Sequence, residues 1–354
     1  MRAAVMRGAR IEVETLDEPV PEEGQVLLAP LATGICGSDL HMRTRVSEAA
    51  ARGRLSSVTP GHEFAAELLA AGPDTRPRFA LGSLVTAIPF AATPEGSDTV
   101  GMSPVRPGGL ATRMVVEESS LFLVPDGMPA ERAALTEPLA VGVHAVGLAN
   151  RHTTGPHVVI GCGPIGLAVI LSLRAAGRGP IIASDLSPER RAAAAALGAD
   201  VVLETTGGSP FDRLSDFGFL EAQISPLLPA EAAAPPAGIT VFECVGAPGL
   251  IEDVLRWAPR HSHAVIVGVC PGEDSITPVL GITKELTLEF SFAYRPDEFR
   301  RSLELIASNG PLVETLITSR VGLGETEGAF DRLASHPSEI KILVEPGRES
   351  ARRA

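Results

Sequence analysis

Six side chains able to hold a metal or move a proton fall in two short stretches. The first is Gly34-Ile35-Cys36-Gly37-Ser38-Asp39-Leu40-His41-Met42, and the second is Thr59-Pro60-Gly61-His62-Glu63-Phe64. Cys36, His62 and Glu63 together offer a thiolate, an imidazole and a carboxylate. That is a zinc ligand set, and three protein ligands leave a fourth position open for substrate. Residue types alone leave plainer readings open. A cysteine after an isoleucine is commonly a small core residue. A His-Glu pair at a turn is commonly solvated surface.

A second constellation runs from His157 to Asp185. Val158-Val159-Ile160 reads as a strand. Gly161, Gly163 and Gly166 follow in G-x-G-x-x-G spacing, then a helix over Leu167 to Ala176, then a second strand over Pro180 to Ser184. This order is a βαβ unit that binds a dinucleotide. The glycines allow a tight turn, close approach of a pyrophosphate, and packing of helix on strand. The helix N-terminus presents free N–H groups to the phosphates. Asp185 lies 19 positions after Gly166, where a carboxylate accepts ribose hydroxyls and repels a 2′-phosphate. NAD is therefore expected over NADP. Arg190 tempers this, since a nearby arginine can accept a 2′-phosphate.

The elements that must position these groups can be read in order. Strands are expected over Met1 to Met6, Ile11 to Thr15, Gln25 to Leu31, Phe64 to Ala70 and Phe79 to Ala87. Ala91 to Gly109 is rich in Gly, Pro, Ser and Thr and reads as loop. A helix is expected to start at Pro129, and another at Val141. Thr240 to Val245 and Ala264 to Val269 are continuous apolar runs, as in buried parallel strands. Leu286 to Phe292 and Ile340 to Val344 read as strands, and Asp297 to Ser308 as amphipathic helix. Residues 205–238 read as a helix plus a loose insertion.

Composition narrows the classes. A chain of 354 residues should hold two domains. A net charge of −13 with no basic run argues against nucleic acid or an anionic membrane as partner. The opening MRAAVMRGARIEVE has no apolar core of a secretion signal. Four scattered cysteines do not make a disulfide framework, so a reducing cytoplasm is expected. Lysine occurs only at 284 and 341, which argues against Walker A and Schiff-base chemistry.

Gly34 to His41, Gly61-His62-Glu63, the glycine fingerprint and Phe242-Glu243-Cys244-Val245-Gly246 together resemble the zinc-containing medium-chain alcohol dehydrogenases. The likeness covers nearly the whole chain in order and points to the sorbitol, butanediol and threonine dehydrogenase-like branch. It implies an α/β fold in which a Rossmann doubly wound parallel sheet is inserted in a GroES-like, mainly β catalytic domain. The implied boundaries are 1–140 with 289–354 for the catalytic part and 141–288 for the NAD-binding part. It implies Cys36, His62 and Glu63 as ligands of one catalytic zinc, with Glu137 beside it, directly or through water. Ser38 and His41 match the proton relay, and Asp39 matches a group that orients His62. Gly161, Gly163, Pro164, Ile165, Gly166, Asp185, Arg190, Val245, Val267 and Val269 match the NAD site. Hydride transfer between NAD(H) and a secondary alcohol or ketone follows, in a homodimer or homotetramer.

Departures from the family are informative. No cysteine occurs between Val85 and Val116, where many relatives carry four for a structural zinc. Polyol enzymes carry Phe-Arg-Tyr where this chain has Phe292-Ala293-Tyr294. The missing arginine removes a donor fork for hydroxyls, so a substrate less polar than a sugar alcohol is expected. Met42, Phe90 and Tyr294 are the expected substrate wall. A polyol or diol dehydrogenase is the alternative within the family. A metal-free enoyl or quinone reductase would generally lack the Cys and His-Glu set.

Overall fold

The computed structural model describes residues 1–54, 57–93, 96–149, 153, 155–205, 209–217 and 238–348. They form two compact units, Met1–Glu137 with Phe299–Ala354, and Pro138–Glu298. Among the described residues no helix is long and apolar enough to cross a membrane.

The chain opens with β1 (Arg2–Arg7) and β2 (Arg10–Thr15), which pair antiparallel. β3 (Gln25–Gly34) alternates buried and half-buried positions through its first half and is buried over its last three residues. That pattern is that of a central strand. Helix α1 (Gly37–Ala51) follows at once. β4 (Ser57–Val58) joins β1, and β5 (Glu63–Ala71) runs antiparallel to β3 with Gly34 opposite Glu63. β6 (Leu84–Ala87) pairs with β5, starting later than expected because Ala80 to Ser83 closes a turn. The stretch expected as loop contains a hairpin, β7 (Phe90–Thr93) with β8 (Gly96–Thr99). Its pairing is local, so polar, small residues suffice to hold it. β9 (Met114–Glu117) and β10 (Leu121–Leu123) complete the N-terminal strands, and α2 (Ala130–Ala133) follows.

α3 spans Thr136–Leu148, so Glu137 and Pro138 lie inside its first turn. The expectation of a start at Val141 placed that helix too late. Proline fits the first turn, where its missing N–H is not needed.

The second unit is built on strands β11 (His157–Ile160), β12 (Ile181–Ser184), β13 (Val201–Leu203), β14 (Thr240–Glu243), β15 (His263–Ile266) and β16 (Thr287–Phe290). Their spatial order is β13-β12-β11-β14-β15-β16, and every pairing is parallel. This is the expected doubly wound sheet. Val158, Ile182, Val241, Val254 and Ile266 share one buried cluster with its helices. Pro210–Phe217 is a 3₁₀ helix, while most of the expected 205–238 insertion lies outside the described residues.

The chain then returns to the first unit. β17 (Ile317–Gly322) and β18 (Lys341–Glu345) extend the mainly β sheet, giving the order β10-β6-β5-β3-β18-β17 with β9 also on β3. Ile35, Met42, Val46, Phe330, Ile342 and Val344 form the core beneath α1.

His157 starts β11 inside the second unit, 6% exposed, with its ring centroid 6.4 Å from that of Phe242. Burial, aided by the Arg178 charge, pushes its pKa down to about 4. The neutral ring is favoured in the fold, while the unfolded chain protonates near the ordinary value. Its stability contribution is therefore full above about pH 6.5 and lost as pH falls through about 4. The loss should reach roughly 3 kcal/mol. Urea midpoints compared at pH 7.5 and pH 5 should fall more in the wild-type chain than in His157→Leu. Equal falls would show that His157 does not carry this acid sensitivity.

Candidate active site

The candidate metal-ligating groups meet near the end of β3 and the start of β5. Gly34, the last residue of β3, pairs with Glu63 at the start of β5 and with Leu343 of β18. Cys36 follows β3 as the residue before α1, and His62 precedes β5. The ligand atoms of Cys36, His62 and Glu63 lie within 4.8 Å of one another.

Two hydrogen-bonding features hold this cluster. Asp39, in the first turn of α1, accepts the Cys36 N–H through Oδ2 at 2.9 Å. Its Oδ1 faces His62 Nδ1 at 3.4 Å, and both atoms are buried without another partner. One carboxylate thus orients both the cysteine and the histidine. On the ring's other side, Ser38 Oγ lies 3.3 Å from His62 Nε2. Burial works against a charged His62, yet Asp39 and then Cys36 outweigh it and raise its pKa well above the ordinary range. A ligating imidazole must be neutral, so metal entry would release that proton.

The loop before His62 is clamped by backbone. Gly109 N–H donates to Gly61 O at 2.7 Å, Leu110 N–H to Pro60 O at 3.0 Å, and Gly108 N–H to Thr59 O at 2.8 Å. A Cβ on Gly108 would fall 2.4 Å from Gly61 O, so only glycine fits there. This clamp lies in the stretch that was read as simple loop.

His41 is half-buried on α1, one turn beyond Ser38 and hence on the same face. Glu137 is 8% exposed, and its charge reaches Lys341. Lys341 was not singled out by the sequence reading. Its Nζ donates to both Glu63 oxygens, at 2.7 and 2.6 Å. The signal for it was a lone lysine inside the apolar run Ile340 to Val344.

The expected dinucleotide residues gather at the strand ends of the second unit. Gly161 has φ +89°, and a Cβ on Gly166 would sit 1.8 Å from Gly161 O. Gly163 caps helix α4 (Pro164–Ala175), so the amides of its first turn, including Ile165, face outward unpaired within the helix. Arg190 lies against Gly163. Asp185 has a structural part that the sequence reading did not include. Oδ2 accepts the Cys162 N–H at 2.7 Å and Oδ1 the Ser187 N–H at 2.8 Å, so it also pins the glycine loop. Glu243 was missed as a site residue. Its buried Oε1 accepts the N–H groups of Val245 and Gly246 at 2.7 and 2.8 Å, fixing the next loop. Burial raises its pKa, partly offset by those two bonds. Val245 packs near Gly161, Val267 is buried just past β15, and Val269 is exposed.

The residues of the expected substrate wall differ in burial. Met42 is 8% exposed and belongs to the core beneath α1, with Met6, Ile35 and Phe330. Phe90 and Tyr294 are half-buried, and Ala293 beside Tyr294 is in the left-handed region at φ +56°.

The family model described as "Alcohol dehydrogenase GroES-like domain" matches residues 22–126, and that described as "Zinc-binding dehydrogenase" matches residues 164–308. The chain is 31% identical to (R,R)-butanediol dehydrogenase of Bacillus subtilis over 95% of this chain and 96% of that protein. It is 28% identical to a Bacillus subtilis sorbitol dehydrogenase, covering 98% of each. The crystal structure of 2R,3R-butanediol dehydrogenase from Bacillus subtilis superposes with TM-score 0.81, at 28% identity, over 98% of this chain and 99% of that one. A zinc-binding dehydrogenase structure from Sinorhizobium meliloti, at 26% identity, TM-score 0.79 and coverage of 98% and 99%, was solved bound to NADP.

The clamp gives a test. Gly108→Ala should push the Pro60–Gly61 backbone away and loosen His62. Bound zinc per purified chain should fall well below that of wild type, with a Tm lower by several degrees, on the order of 1–2 kcal/mol. Unchanged zinc content and Tm would show that the clamp does not position His62.

Proposed function

The chain belongs to the zinc-type medium-chain alcohol dehydrogenases, and from that premise we propose that it interconverts a secondary alcohol and its ketone, using one zinc ion and NAD(H). The observation that carries this reading is the convergence of Cys36, His62 and Glu63 within 4.8 Å, with Ser38 Oγ against His62. A thiolate, an imidazole and a carboxylate fit zinc, and the paired orphan atoms of Asp39 and His62 fit an imidazole held for ligation. When bound, zinc supplies Lewis acidity at the substrate oxygen, and NAD accepts the hydride.

The chain's own residues then have the following roles in the proposal. Cys36, His62 and Glu63 hold the metal, with Glu137 beside it. Asp39 fixes the His62 ring. Ser38 takes the alcohol proton, and His41, one turn on, passes it to solvent. Gly161 to Gly166 and the start of α4 cradle the pyrophosphate, and Asp185 takes the adenosine ribose. Arg190, Val245, Val267 and Val269 line the same cofactor, and Phe90 and Tyr294 contact substrate.

The substrate is proposed to be less polar than a sugar alcohol, since Ala293 stands where polyol enzymes carry arginine. A short vicinal diol is the second reading, favoured by the relative named for butanediol. A cytoplasmic homo-oligomer completes the proposal. Phe290, at the end of edge strand β16, and nearby Phe292 are 68% and 85% exposed, which supports self-association.

Elemental analysis should find one zinc per chain, and Cys36→Ser should lose metal and activity together. Two zincs per chain, or none in an active preparation, would refute the metal assignment. A panel of cyclic and branched secondary alcohols, short diols and polyols, followed by NADH absorbance, tests the substrate. Sorbitol or xylitol as best substrate would end the apolar reading and leave the zinc reading intact.

Cofactor choice is read separately. Wild type should prefer NAD over NADP in kcat/KM. Asp185→Asn keeps an acceptor for the loop but removes the charge, so the preference should shrink by on the order of tenfold. A wild-type preference for NADP would overturn the role given to Asp185.

A further inference from the structure

The Glu63–Lys341 pair is the most buried ion pair in the described structure, with side chains 0% and 2% exposed. Lys341 uses all three ammonium protons. Two go to the Glu63 oxygens, and the third goes to Ile35 O at 3.1 Å, the carbonyl just before Cys36. The other face of the carboxylate lies against β3. A Cβ on Gly34 would fall 2.1 Å from Glu63 Oε2. Glu63 is thus held between a backbone wall and one cation, with both oxygens engaged. A dication bound by Cys36 and His62 must share this carboxylate with the lysine.

We propose that Lys341 is a positioning residue that competes with the metal for Glu63, making Glu63 an exchangeable ligand while Cys36 and His62 stay fixed. This rests on the zinc reading above. The physical reason is charge and geometry. An ammonium at hydrogen-bond distance draws density from the carboxylate and stabilises it in the metal-free chain. It also leaves the loaded site one unit more positive than a thiolate and carboxylate alone would. Asp39 applies no such competition to Cys36 or His62, since it accepts from the cysteine's amide and faces the ring nitrogen opposite Ser38.

The test measures metal affinity of the full-length chain at fixed pH, by competition between the zinc-loaded protein and a chromophoric chelator. Lys341→Met and Lys341→Gln both remove the cation, and the glutamine keeps a donor in case the methionine variant fails to fold. Each should hold zinc about fivefold or more tightly, although thermal unfolding of the metal-free chain moves to lower temperature. Lys341→Arg retains the charge and should stay within about twofold of wild type. In a Glu63→Gln background, Lys341→Gln should change zinc affinity by a clearly smaller factor, since only the through-space repulsion of the cation is then relieved. A lower Tm with unchanged zinc affinity would reduce Lys341 to a structural role and overturn the proposal. Weaker zinc binding in the neutral variants would overturn it too, since the lysine would then be assisting the metal. If wild type binds no zinc at all, it is the zinc reading that fails, and the two failures are distinct.

Discussion

The register of β3 against β5 and β18 is the constraint on which the first unit depends. Gly34 faces Glu63 on one side and Leu343 on the other. That alignment brings residues 36, 62, 63 and 341 to one point, although the last is nearly three hundred positions away in sequence. Side chains alternate with period two, so a slip of one residue would turn Glu63 and Lys341 to the opposite face. The buried pair would be broken and the ligand set dispersed. The apolar neighbours Ile342 and Val344, packed in the core beneath α1, oppose such a slip.

The two units solve the same local problem in the same way. Each must hold a sharp loop in place just past a strand, where the backbone ladder has stopped. Asp39 does so before α1, Asp185 beside the glycine loop, and Glu243 past β14. In each case a carboxylate accepts backbone N–H groups that would otherwise lack partners. Bonds to a charged acceptor are the stronger kind, and they cost little chain entropy because donor and acceptor are mostly close in sequence. The acid that recommends itself for cofactor recognition is therefore also a structural pin, as Asp185 shows.

What was legible in the sequence was whatever is local. The glycine spacing, the apolar runs of the parallel strands and the close grouping of Cys36 to His41 each fall within one or two elements. The pairing of His62 and Glu63 with Cys36 became readable through the likeness to a family. Groups defined by long-range packing were not legible. Lys341 has no partner within its own strand and finds Glu63 only where β18 lies beside β3. Met42 sits next to His41 in sequence, but helix geometry turns it into the core with Met6 and Phe330. The hairpin at β7 and β8 escaped because its residues have weak strand preference and owe their form to mutual pairing. The start of α3 was missed because Pro138 reads as a breaker unless it is placed in the first turn.

The persistence of Lys341 in that interior needs an explanation beyond stability. Removing two charges from water is costly, and replacing a buried pair by apolar residues is often neutral or stabilising by about 1–4 kcal/mol. Strand β18 is apolar from Ile342 to Val344 and preceded by Ile340, so a leucine or methionine at 341 would suit its packing. Glu63 alone would be intolerable there, since a lone buried carboxylate demands a partner. The lysine follows from the glutamate, and under the proposed zinc reading the glutamate belongs to the ligand cluster. Burial lowers the tendency of Lys341 to stay charged, but Glu63, Cys36 and Glu137 together more than reverse it. The strand therefore carries a cation whose charge is favoured by the acidic groups around it.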